Sequence, residues 1–422
     1  MKTFVNYDWA GELKSIGARI QFSYQPACKP EQAVSLVMPV GSEPYETKDY
    51  GAMLPVFDMN IPEGYLYEKL KEIFSKLLPV VDRFTMLEMV GRSQIGRIRV
   101  APSLADIQNV PARSLKEMLV SGGTAELFAD LLKHYARYSG VAGAQPKVLA
   151  RDSGTLESMT RTGLHSPSTI SGAAPPRITS PGTTHIVKMF DPAVFPALAT
   201  NEFLCLQAAK RAGLPAPAVW LSNNRQCLVV ERFDIKPDGT YLAFEDVCAL
   251  RLRQSAEKYL GTYENVAQTL LKHVEPIWTR EDLRRLFEMI ALTCCLRNGD
   301  AHLKNFGVLY ETPANVRLSP AYDIITTTVY QPKDMLALAL GGTQQWPSRK
   351  KLLRFGTEHC GLTRPEARDS LAKIVDAAQT VRNEIPAHIA DTATQPARDA
   401  LARMTAAWQT GIASLSHDDN RL

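Results

Sequence analysis

The chain has 422 residues, 45% of them hydrophobic, and 48 basic against 44 acidic side chains give a formal net charge of +4. That length and apolar content support a large globular core divided over two or three packed units. A charge so mild excludes a general attraction to nucleic acid or membrane, so any such contact must be local.

In chain order, the first hundred residues alternate short β-like runs (Lys2 to Tyr7, Arg19 to Tyr24, Ala33 to Val40) with Gly and Pro breaks, and a helical stretch follows from Tyr65 to Leu78. This predicts a small N-terminal α/β unit. A second helical run, Thr124 to Tyr138, ends at Ser139-Gly140, after which Val141 to Leu149 reads as a turn entering a strand. Residues 152–183 are dense in Ser, Thr, Gly and Pro, a composition that buries little apolar surface, and a mobile loop is expected there. His185 to Met189 is a predicted strand, Thr200 a predicted cap for a helix over Asn201–Ala212, and Gln226 to Val230 a second apolar strand delivering Glu231-Arg232-Phe233-Asp234. From Glu245 onward helix signals dominate. Thr279 with Asp282 resembles a capping box ahead of Leu283, Leu286, Phe287, Ile290, Ala291 and Cys294 at helical spacing, and Thr363 with Glu366 forms another ahead of Leu371, Ile374, Val375, Ala378 and Val381.

The seven cysteines (Cys28, Cys205, Cys227, Cys248, Cys294, Cys295, Cys360) sit mostly in apolar runs and read as reduced core residues. The start has no apolar signal core, and no run approaches the roughly 18 apolar residues needed to span a bilayer, so a cytoplasmic protein without membrane contact is expected.

The predicted helix behind Thr279, with its stripe from Leu283 to Cys294, feeds directly into Asn298-Gly299-Asp300-Ala301-His302-Leu303-Lys304-Asn305-Phe306, followed by Ala321-Tyr322-Asp323. Asp-x-x-x-x-Asn with a later Asp is the phosphoryl-transfer order. One carboxylate takes the acceptor's proton, while the amide and the second carboxylate hold a hard cation against the phosphates. On the pattern alone an ordinary Asp/Asn turn fits equally well. The upstream context decides.

Four segments coincide in order and spacing: Val141 to Lys147, Thr184 to Lys188, Val230 to Asp234, and Asp300 to Phe306 with Tyr322-Asp323-Ile324-Ile325. Together they resemble the HipA-like serine/threonine kinase toxins over nearly the whole chain. The resemblance implies an α+β, two-lobed protein-kinase-like fold related to the lipid-kinase branch. Its N-terminal α/β subdomain would span 1–128, a kinase N-lobe with the phosphate turn and mobile loop 129–240, and a helical C-lobe 241–422. It implies ATP and Mg²⁺ as cofactors. Ala142, Gly143, Ala144, Gln145, Pro146 and Lys147 would lie over the phosphates, Lys188 on the α- and β-phosphates, and Glu231, Arg232 and Phe233 around the adenine. His302, Leu303, Lys304, Asn305, Tyr322 and Asp323 would meet nucleotide and metal, with Asn305 and Asp323 as metal ligands and Asp300 as the catalytic base. Glu202 is a candidate ion-pair partner for Lys188, and Asp234 is read as structural.

The implied activity is a toxin kinase that phosphorylates a translation component such as an aminoacyl-tRNA synthetase and also phosphorylates itself. A separately encoded helix-turn-helix, HipB-like antitoxin would neutralise it and make any DNA contact indirect. Two departures stand out. The family's regulatory serine precedes the Ala-Gly-x-Gln turn, and here Ser139 is displaced by one residue, leaving Ser139 or the 152–183 loop as the self-phosphorylated site. Ile324-Ile325 replaces Phe-Gly after Asp323, so the eukaryotic switch is not expected. Arg349, Lys350, Lys351 and Arg354 are the densest basic cluster, read either as a DNA-phosphate contact or as a solvated helix face. The rival functions are a kinase of a small molecule or lipid on the same fold, and an inactive pseudokinase or corepressor.

Overall fold

The computed structural model describes residues 1–75, 81–107, 110–121, 125–135, 138–142, 145–153 and 182–416. Most of the expected mobile loop and residues 143–144 of the phosphate turn lie outside the described residues. The chain divides into two compact units: Met1–Met189 with Ser222–Glu257 and Leu309–Val316, and Phe190–Leu221 with Lys258–Val308 and Arg317–Leu422.

The first unit opens with an antiparallel sheet in the order Tyr45–Glu46, Arg19–Tyr24, Asp8–Ile16, Lys2–Val5, Ile98–Ala101. Leu13 faces Phe22 across one ladder, both are fully buried, and the Phe22 ring packs on Phe57. Burial alternates along Arg19–Tyr24, as on a sheet with one face on the core, whereas all four residues of Ile98–Ala101 are buried. The expected strand at Ala33–Val40 does not form; only a bridge between Ser35 and Met38 remains. Its backbone is satisfied elsewhere, because the buried Glu245 carboxylate accepts from the Leu36 N–H (2.8 Å) and the Ser35 hydroxyl, and also from the Tyr310 hydroxyl (2.6 Å). A helix, Gly64–Phe74, forms in the stretch predicted helical over Tyr65–Leu78, whose last residues, 76–78, lie outside the described residues. Within the same unit a second sheet runs Ala112–Arg113, Lys147–Asp152, His185–Met189, Cys227–Glu231, with antiparallel pairing between the last three.

The second unit is mostly helical. Helices Thr279–Leu296, Arg364–Arg382 and Gln395–Ser416 pack on one another, and Leu198–Arg211 docks on the Arg364–Arg382 helix. All six residues of the predicted stripe on the first of these are buried. The close crossing is set at Gly411, where a Cβ would lie 2.1 Å from the Cys295 carbonyl oxygen. Trp408, fully buried, donates from Nε1 to the Thr326 hydroxyl at 2.6 Å, and Asn201 brackets the Thr326 backbone with both ends of its amide.

Two predicted caps are placed differently. The Leu198–Arg211 helix begins three residues before Asn201, with Ala197 in the left-handed region, and Thr200 lies buried inside the first turn. Trp278 rather than Thr279 precedes the long helix, and Asp282 turns instead to Arg285, Arg317 and the Leu318 N–H, anchoring the strand that follows. The Thr363–Glu366 capping box forms as read. Six cysteines are buried and Cys28 is partly so, all of them free thiols.

Candidate active site

The second unit holds the loop that the helical stripe delivers. Thr279–Leu296 ends in Arg297, whose left-handed backbone (φ 56°, ψ 47°) turns the chain out of the helix. A non-glycine residue is uncommon there. Its side chain is held by the Thr410 carbonyl (3.3 Å), the Ser414 hydroxyl (3.2 Å) and the Trp346 ring. The next turn is tied down twice. Gly299 donates its N–H to the Thr327 hydroxyl at 2.7 Å, and the Asn298 amide oxygen accepts the Asp300 N–H at 3.0 Å. Beyond it, Tyr263 donates to the Ala301 carbonyl (3.1 Å) and Leu303 to that of Lys258 (3.1 Å). A single 3₁₀ turn, Leu303–Asn305, closes the loop.

This scaffold gathers the predicted residues. Asn305 accepts the His302 N–H on Oδ1 (3.2 Å) and donates from Nδ2 to the Asp323 carbonyl (3.4 Å), while Tyr322 donates its hydroxyl to the Lys304 carbonyl (2.7 Å). Asp323 itself adopts a left-handed backbone, φ 55°, which Asp tolerates better than most residues. The Asp300 carboxylate receives the Tyr259 hydroxyl on Oδ1 at 2.7 Å, and His302 Nε2 stands 4.0 Å from the same oxygen. Its side chain is 47% exposed, yet the surrounding protein raises its proton affinity. Desolvation is the largest cause, opposed by the Tyr259 hydrogen bond, with the Asp323 and Asp334 carboxylates pushing further up and Lys258 pulling down. A carboxyl shifted upward in this way is a better proton acceptor.

The first unit places the basic residues. Lys147 and Lys188 face each other directly across neighbouring strands, and both are buried. Ala142, Gln145 and Pro146 lead into the first of these strands, and the Pro146 carbonyl accepts the Met189 N–H (3.0 Å).

In the segment expected around the adenine, the Arg232 side chain turns into the protein. Its guanidinium is fully buried, bound to both Asp234 oxygens (3.0 and 2.6 Å), the Thr183 hydroxyl (2.6 Å) and the Gln94 carbonyl (2.9 Å), and it stacks on Tyr241. Its N–H is bound to the Thr184 carbonyl. Asp234, structural as expected, also accepts the Gly96 N–H at 2.6 Å. Glu231 remains exposed and Phe233 half-buried, its ring edge-on to Phe244. Ser139 is completely buried, donating to the Tyr135 carbonyl (2.8 Å) and accepting from the Leu149 N–H (2.9 Å). The basic cluster forms the start of helix Arg349–His359, where Arg349 donates to the Leu415 carbonyl and Arg354 pairs with Glu358.

Reading the sequence missed Tyr259, 41 residues before Asp300, and the Asp334 segment that flanks Gly299. No local signal marks either. Glu202 is buried in the second unit's Leu198–Arg211 helix. Among the described residues no group of three His, Cys, Asp or Glu side chains is set to hold a metal, and no helix is long and apolar enough to cross a membrane.

An α+β, kinase-like fold with a loop of this kind defines a broad class, and comparison narrows it. Residues 1–101 match the HipA N-terminal domain and residues 139–382 the HipA-like C-terminal domain. The chain therefore belongs to the HipA-like family. It is 25% identical over 340 residues to "Putative kinase Y4dM" of Sinorhizobium fredii, covering 76% of this chain and 75% of that one. It is 27% identical over 154 residues to a "Putative kinase" of Haemophilus influenzae, covering 33% and 44%. A solved structure of the Shewanella oneidensis MR-1 toxin–antitoxin system HipA, with HipB and operator DNA, is similar over 99% of each chain with a TM-score of 0.67 at 18% identity.

Proposed function

We propose that this protein is an ATP- and magnesium-dependent serine/threonine protein kinase, the toxin of a bacterial toxin–antitoxin pair. The observation that carries the reading is the cluster of Asp300, Asn305 and Asp323, a base of raised proton affinity five residues before an amide bonded to the second aspartate's backbone. Asp300 takes the acceptor hydroxyl's proton as that oxygen attacks the terminal phosphorus, and ADP departs. Lys147 and Lys188 supply positive charge to the phosphates. By the family resemblance, backbone N–H groups of the turn from Ala142 to Gln145, ahead of Pro146, would meet those oxygens. Glu231 and Phe233 border the adenine, with Arg232 holding that segment in place through Asp234.

Asn305 and Asp323 would hold the divalent cation. Both offer hard oxygen atoms, and Asn305 Oδ1 keeps acceptor capacity beyond its bond from His302. Magnesium takes few protein ligands and keeps water and phosphate oxygens, which suits a two-residue site, and when bound it neutralises phosphate charge. His302, Leu303, Lys304 and Tyr322 shape the loop that presents them.

The domain division at 128/129 and 240/241 goes with this reading. So do a translation component such as an aminoacyl-tRNA synthetase as substrate, and a HipB-like antitoxin through which DNA is reached. The last is supported by the Shewanella complex, which contains HipB and operator DNA. Self-phosphorylation at Ser139 requires its two buried hydrogen bonds to break, so that segment must leave its place first.

The test is labelled ATP with the purified protein and bacterial lysate. Labelled protein bands are expected, reduced about a hundredfold or more in Asp300→Ala. Labelling only of small molecules or lipids, or bands unchanged in Asp300→Ala, would overturn the assignment. Phosphosite mapping of the protein itself separates Ser139 from the 152–183 loop.

A further inference from the structure

The carboxylate of Asp300 is held from one side only. Its own backbone is fixed by Asn298 and His302, but among the described residues the hydroxyl of Tyr259 alone hydrogen-bonds a carboxylate oxygen, Oδ1, at 2.7 Å. Free rotation about the last side-chain bond would otherwise exchange the two oxygens. The tyrosine is well placed to prevent that, since its ring packs edge-on against His302 (5.0 Å between centroids, 78° between planes) with the Lys258 ammonium 5.6 Å from its centre. The same ring helps line a cavity of about 680 Å³ whose wall continues through Gly299, Pro332, Asp334, Met335 and Leu336. A space of that size accommodates several residues of an extended chain rather than one side chain.

Resting on the kinase reading above, we propose that Tyr259 is a positioning residue for the phosphoryl-transfer base. Its hydroxyl pins Oδ1 of Asp300, which leaves Oδ2 for the acceptor's proton, and its ring helps line the open cleft that receives the polypeptide carrying that hydroxyl. The two functions sit on different atoms of one side chain and are separable. The hydroxyl acts on the chemical step, and the ring acts on acceptor binding. Lys258, His302, Asp323 and Asp334 are the charged or titratable neighbours that share the base's environment, and none of them is removed by a change at Tyr259.

Tyr259→Phe and Tyr259→Ala are compared with wild type, using ATP, magnesium and myelin basic protein as the acceptor probe. Tyr259→Phe is expected to lower kcat about tenfold, the value of a hydrogen bond to a charged group, with the KM for ATP and for the acceptor unchanged. Tyr259→Ala is expected to raise the acceptor KM as well. Independently of any acceptor, the ¹³C carboxyl resonance of Asp300, assigned by its loss in Asp300→Asn, should titrate at higher pH in Tyr259→Phe, because the lost donor favoured the ionised form. A Tyr259→Phe protein with wild-type kcat and wild-type titration, beside an inert Asp300→Ala, overturns the proposal and leaves the kinase reading standing. An active Asp300→Ala removes the kinase reading instead. A Tyr259→Phe enzyme faster than wild type also overturns the proposal, since the hydroxyl would then be competing with the acceptor.

Discussion

Gly299 offers a sharp test of how the loop is built. Replacing a glycine with alanine ordinarily stabilises by about 0.4–1 kcal/mol through the unfolded chain, provided the backbone angles allow it. Gly299 does not have a left-handed φ, so its backbone alone would accept a side chain. Its surroundings reverse the sign. A Cβ there would lie 2.1 Å from Asp334 Oδ2, 2.4 Å from its Cγ and 2.5 Å from the Met335 carbonyl oxygen. A carboxylate can swing away, but a backbone carbonyl cannot without moving its segment, and that segment is held where Trp346 donates to the Asp334 carbonyl at 3.1 Å. Overpacking of this kind costs about 1–3 kcal/mol, which outweighs the unfolded-state gain. A net loss near 2 kcal/mol should lower the melting temperature by about 4–8 °C in a unit of this size. Displacement of the loop should also weaken the Gly299 bond to Thr327 and reduce phosphoryl transfer at least tenfold, roughly the effect of a misplaced catalytic group. Calorimetry and the lysate labelling assay read the two effects together. A Gly299→Ala protein that melts within a degree of wild type and labels equally well would show that the close approach to Met335 has no consequence.

Asp234→Ala should destabilise the protein by about 3–5 kcal/mol in urea unfolding, because it strands the buried Arg232 guanidinium, whereas replacing both partners by leucine and methionine should cost less; equal losses for the two variants would refute the ion-pair account. Burial holds the His185 imidazole down at about 4, with Asp152 opposing and Arg232 reinforcing that shift. Below pH 6.5 the unfolded chain therefore binds a proton that the folded one refuses, and stability should fall toward pH 4 by up to about 1.4 kcal/mol per unit, the slope of one proton. His185→Gln should flatten that slope in urea midpoints measured between pH 4.5 and 7, and an unchanged slope would assign the acid sensitivity to other groups.

What the linear chain determined was whatever depends on neighbours within a turn or two. The Thr363–Glu366 box and the buried stripe of Thr279–Leu296 were legible because caps and helical faces are set by residues three to four apart. The same logic failed where a distant group competed for a local one. Asp282 left its helix cap for Arg317 and the Leu318 N–H. The Ala33–Val40 run gave its hydrogen bonds to Glu245, some 210 residues away, instead of to a strand. Tertiary packing alone decided that two lysines would stand opposite each other on adjacent strands and that Tyr259 would reach Asp300. Hydrogen-bond and charge partners are chosen by proximity in space, where desolvation makes every unpaired group costly, and spacing along the chain carries no record of that choice.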